Sequence, residues 1–108
     1  MPRRDRNDGP SRPLDSQGVY GIAVTSGLVG TGVQNLRAYE KAGLLDPART
    51  AGGTRLYSRD DVARLRRIHA LLAEGLNLAG IAMVLELEEE NQRLRDQLAR
   101  KRKRPTRS

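Results

Sequence analysis

The apolar positions of the chain fall into short blocks separated by glycine, and their spacing changes from block to block. Residues 22–29 are apolar and small, which suits a short helix that Gly27 and the β-branched Val24 and Thr25 weaken. Gly30-Thr31-Gly32 breaks it, and Gly30 can take the positive φ of a tight turn between helices. A second helix is expected from Val33 to about Ala42. Val33, Leu36 and Tyr39 recur at helical spacing and should face the first helix, while Gln34, Asn35, Arg37, Glu40 and Lys41 take the other faces. Gly43 is placed to stop it, and Leu44-Leu45 return to the core. In residues 46–57, Pro47 ends any helix, Gly52-Gly53 signals a hairpin turn, and Thr54, Leu56 and Tyr57 suit a strand.

Ser58 followed by Asp61 reads as a capping box opening a third helix that runs to Gly75, with Val62, Leu65, Ile68 and Leu72 on one side. Asn77 can cap a further helix from Leu78 towards Lys101. Its apolar positions settle into a heptad seam, Val84, Leu87, Asn91, Leu94 and Leu98, with outward faces saturated in charge. So narrow a stripe matches a partner helix; the other reading is a helix folded back on its own domain. Two heptads are too short to pair firmly alone, so contacts from the rest of the domain must support them. The pattern divides the chain into a disordered arm (1–18), a winged helix-turn-helix (19–75), a coiled-coil dimerisation segment (76–99) and a basic disordered tail (100–108). The fold class is mainly α with a small β-hairpin wing.

Composition adds exclusions. With 108 residues, one domain with flanking tails and no effector domain is expected. Without cysteine there is no disulfide framework or thiolate metal site, and His69 is the only histidine, so neither metal nor cofactor is expected. No apolar run approaches the ~20 residues that span a bilayer, and a cytoplasmic, nucleoid-associated protein is the default. The candidate acids lie scattered on solvated faces with no nucleophile or phosphate loop, which speaks against an enzyme.

Charge says more. The formal net charge is +7, distributed as +1 over residues 1–18, +4 over 19–73, −4 over 74–99 and +6 over 100–108. A basic front, an acidic segment and a basic end point to a polyanionic partner. The tail can also be no more than solubilising, and the acidic run from Glu86 to Glu90 should keep the dimer helix off DNA. In a helix-turn-helix, the N-terminal side chains of the second helix meet base edges in the major groove. Here these are Gln34 and Asn35, whose amides suit the N6/N7 edge of adenine. Arg37, one turn on, can reach a guanine or a phosphate, and Tyr39, Arg49, Arg55 and Tyr57 are placed for backbone or minor-groove contacts. Two alternatives stand beside these roles. Tyr39 can be a core residue with a wet hydroxyl, and Arg37 an ion-pair partner of Glu40 or Asp46.

The run from Leu36 to Leu45 (LRAYEKAGLL), then Pro47, Arg49-Thr50, Gly52-Gly53-Thr54-Arg55-Leu56-Tyr57-Ser58, Asp61-Val62 and Leu65 resemble the DNA-binding domain of the MerR family over about Tyr20 to Leu85. Val24, Gln34 and Asn77-Leu78-Ala79-Gly80-Ile81 resemble its HspR branch of heat-shock repressors. The resemblance implies a homodimer joined by an antiparallel coiled coil, bound to an inverted repeat in double-stranded DNA. It implies DNA contacts from Gln34, Asn35, Arg37, Tyr39, Arg49, Arg55 and Tyr57, and a DnaK-type chaperone as co-repressor. Three positions depart from the family pattern: Gly32 replaces the usual Ser or Thr cap, Ala38 the first of two tyrosines, and Gly27 a better helix former. The expected function is a transcriptional repressor. The alternatives are an excisionase-like DNA-bending protein of the same fold and a coiled-coil adaptor for a chaperone.

Overall fold

The helices form where the glycines leave room for them. In the computed structural model, which describes residues 15–103, helix α1 (Ile22–Val29) and helix α2 (Val33–Lys41) are joined by Gly30, Thr31 and Gly32. Gly30 closes α1 in the left-handed region at φ 71°, and its N–H donates to the Ser26 carbonyl. Gly43 turns the chain out of α2 in the same way, at φ 83°. Leu44 and Leu45 then drop into the core beside Leu36 and Tyr39 of α2.

The hairpin is minimal. Strand β1 (Ala48–Arg49) pairs antiparallel with β2 (Arg55–Leu56), Ala48 opposite Leu56 and Arg49 opposite Arg55. Two residues per strand do not hold themselves together. Outside help comes from Tyr20, whose carbonyl accepts the Tyr57 N–H at 2.7 Å, while the Tyr57 carbonyl accepts the Val19 and Tyr20 N–H groups at 2.9 Å. Gly18 lies so close to β2 that an added Cβ would sit 2.8 Å from the Leu56 carbonyl oxygen. Asp15 faces Arg59 at 3.7 Å. Packing therefore reaches back to Asp15, four residues before the expected boundary at Val19, because Gly18 lets the backbone lie flat on the wing. The rest of the expected arm, residues 1–14, falls outside the described residues.

Helix α3 (Arg59–Ala73) opens on a complete capping box: the Asp61 N–H donates to Ser58 Oγ and the Ser58 N–H to the Asp61 carboxylate, both at 2.9 Å. It buries Val62, Leu65, Ile68 and Leu71. Leu72, expected inside, is instead 36% exposed. The buried positions advance by three residues, and each such step turns the face by roughly 60° around the helix, so Leu71 takes the inward place. Helix α4 (Leu78–Lys103) is capped by Asn77, whose Oδ1 accepts the Gly80 N–H at 2.8 Å. Its first turns bury Ile81 and Leu85 in the core, and every residue from Glu86 to Arg102 is exposed. The helix continues through Arg100–Lys103, which the charge pattern assigned to the tail: nothing in Arg and Lys opposes helix. Residues 104–108 lie outside the described residues.

Candidate nucleic-acid interface

Helix α2 is oriented by what it buries. Leu36 is fully buried and Tyr39 is 6% exposed, both turned into the core, so Gln34, Asn35 and Arg37 point to solvent. The helix starts on Gly32 without a side-chain cap. Thr31 supplies a local tether, its Oγ1 accepting from Asn35 Nδ2 at 3.1 Å. Arg37 makes no ion pair among the described residues; the carboxylate expected to compete for it, that of Glu40, is taken from the other side.

Glu40 lies in the last turn of α2 and faces the wing. Its Oε1 accepts from Arg55 Nε at 2.5 Å and its Oε2 from Arg49 Nη2 at 2.7 Å. The Arg55 hydrogen bond does most to hold the Glu40 carboxyl below its usual range, opposed by desolvation and helped by Arg49. Arg49 also donates from Nη1 to the Gly53 carbonyl at 3.0 Å, bracing the hairpin turn. Arg55 spends only its Nε in the bonds found among the described residues. Sequence reasoning missed Glu40, although a signal was there. Arg49 and Arg55 are directly opposed across the hairpin, and like charges so placed repel unless an acid lies close by.

The two tyrosines are not surface groups. Tyr39 stands edge-on to His69, with ring centroids 6.2 Å apart at 73°, in the core position its alternative reading allowed. Tyr57 is fully buried, and its hydroxyl finds no hydrogen-bond partner among the described residues. Burial pushes its phenol pKa up. Its expected DNA contact is thus corrected: the residue after β2 turns its ring under the domain, where no phosphate reaches it.

Beyond Leu85, helix α4 carries the seam. Val84 is half-buried against the core, whereas Leu87, Leu94 and Leu98 are 67%, 52% and 52% exposed. Val84, Leu87 and Asn91 line an open groove of about 570 Å³ together with Glu88, Gln92 and Arg95. The acidic run has partners the sequence did not reveal. Arg67 grips Glu88, and Arg64 pairs with Glu89 while donating from Nε to the Leu44 carbonyl at 2.6 Å. Arg64 thereby joins the loop after α2 to helix α4. Its signal was weak, since partners 20 and 25 residues away leave no periodic trace.

Among the described residues there is no cluster of three or more metal-ligating side chains, and no helix is long and apolar enough to cross a membrane. The profile of the MerR HTH family regulatory proteins matches residues 20–88, which include α1, α2, the wing, α3 and the start of α4. The chain belongs to the MerR family. It is 43% identical over 91 residues to the heat shock protein HspR of Streptomyces coelicolor, covering 83% of this chain and 59% of that protein. It is 40% identical over 87 residues to the regulator GlnR of Bacillus anthracis, covering 81% and 63%. The chain thus spans about three fifths of the length of these relatives. Among solved structures it is similar to the transcription regulator PbrR691 of Ralstonia metallidurans, crystallised in complex with lead(II). The TM-score is 0.61 at 30% identity, over 78% of this chain and 73% of that one. It also shares the fold of HiNmlR, a MerR family regulator lacking the sensor domain and bound to promoter DNA, with a TM-score of 0.58 at 22% identity, over 77% and 79%. The matched relatives are regulators rather than enzymes.

Proposed function

We propose that this chain binds double-stranded DNA as a homodimer at an inverted-repeat operator and represses transcription there, working in the cytoplasm at the nucleoid. The observation that carries the reading is the exposed row Gln34, Asn35 and Arg37 on a helix whose opposite face is locked into the core. A surface helix with two amides at its start and an arginine that is unpaired among the described residues has the dimensions and donor-acceptor pairs that major-groove edges take up. Arg55, with its terminal nitrogens left over, serves the flanking phosphates, and Arg49 is chiefly a brace for the wing. Tyr39 and Tyr57 support this surface from below.

Dimerisation runs through Leu87, Asn91, Leu94 and Leu98, with Val84 at the domain end. Charge supports the antiparallel arrangement. The first half of the exposed helix holds Glu86, Glu88, Glu89 and Glu90, of which Glu88 and Glu89 are already paired with α3, and the second half holds Arg93, Arg95, Arg100, Lys101 and Arg102 against Asp96. Antiparallel helices set acid against base, whereas parallel ones oppose like charges.

The test is binding measured against a competitor. Affinity for a duplex selected from a random pool should exceed that for random duplex by at least about a thousandfold and fall steeply with salt. Indifference to sequence would overturn the reading. Binding to direct repeats by side-by-side assembly would favour the excisionase-like alternative.

A further inference from the structure

We infer that Glu40 is a positioning residue for DNA selectivity: its one carboxylate sets both wing arginines against the reading helix and so favours matched over unmatched DNA. The inference rests on the DNA-reading role proposed above and deepens it. Glu40 belongs to α2, Arg49 to β1 and Arg55 to β2, and the two carboxylate oxygens are each taken by a different arginine. One side chain thus ties three elements. The wing needs the tie, because its strands are two residues long and its paired arginines repel each other. The Glu40 side chain is 20% exposed, so the pairs are partly shielded from solvent and salt.

Two consequences follow for binding. The tie fixes the offset between the base-reading row on α2 and the phosphate-binding guanidinium of Arg55, so both engage only where bases and backbone present the right spacing. It also places a negative charge beside the arginines, which weakens attraction to any duplex regardless of sequence. A glutamine at this position keeps the shape but has only one oxygen. It accepts from one arginine and turns its NH2 donors towards the other.

The experiment compares full-length wild type, Glu40→Gln and Glu40→Asp for dissociation constants on a selected operator duplex and on random duplex, across a salt series. Glu40→Gln is expected to bind random duplex as well as or better than wild type, with a steeper salt dependence. Its operator-to-random ratio should fall about tenfold, the scale of one charge-assisted hydrogen bond. Glu40→Asp keeps the charge and should recover part of the ratio. Hydrogen exchange at the amides closing the hairpin, Gly53 and Thr54, is the second readout, and protection there should drop in Glu40→Gln. Parallel loss of both affinities, an unchanged ratio, or unchanged hairpin protection would overturn the inference. A wild-type protein with no preference for any duplex would instead sink the DNA-reading proposal, and hairpin protection alone would then decide whether Glu40 holds the wing.

Discussion

Tyr57 shows how one residue's burial redirects a functional assignment. Its place after an arginine-bearing strand invited a role on DNA, yet the ring is fully buried and its hydroxyl has no partner among the described residues. A buried polar group without a partner costs about 1–3 kcal/mol of desolvation. Tyr57→Phe removes that cost and keeps the ring, so the variant should melt no lower than wild type and bind DNA with unchanged affinity. A clear loss of affinity at unchanged melting temperature would restore the surface role. Glu40, Arg64 and Arg67 make the complementary case. Their partners lie 9 to 25 residues away, and pairing at that distance depends on how the helices dock. Local spacing carries no record of it, whereas the repulsion of Arg49 and Arg55 was readable once the register was known.

At the scale of elements most of the architecture was legible. Glycines at 30, 43, 53 and 75 all adopt positive φ, which other residues resist, so they mark ends reliably. The boundaries of α1 and the capping box at Ser58 follow from residue chemistry alone. The inward face of α3 was less legible, because a three-residue step and a mixed three- and four-residue step differ by one position after three turns. Gly27, flagged as a weak helix former, sits in the middle of α1 with nothing within 4 Å of an added Cβ. Gly27→Ala should therefore raise stability by about 0.5–1 kcal/mol, read as a higher urea midpoint at constant slope. No gain would mean that α1 is held wholly by its packing, with no contribution from helix propensity.

Taken together, the described residues form a packed head with a long helix running out of it. Their radius of gyration is 17.2 Å and their longest dimension 58 Å. Only Ile81 and Leu85 root α4 fully in the core, and the pairs Arg64–Glu89 and Arg67–Glu88 steady it one turn further on. The exposed leucines beyond have no work in the head. Leu94→Lys should leave the head folded, with unchanged amide-exchange protection in α1 to α3, while sedimentation shifts from dimer to monomer. Operator affinity should fall at least about tenfold as the second half-site is lost. A monomeric wild type, or a dimeric Leu94→Lys protein, would remove the seam from the account.

The most direct measurement is selection of bound sequences from a random duplex pool by the wild-type protein. The account predicts enrichment of an inverted repeat whose half-site centres lie about one helical turn, or a multiple of it, apart. Enrichment of single sites, of direct repeats, or of nothing at all would contradict it.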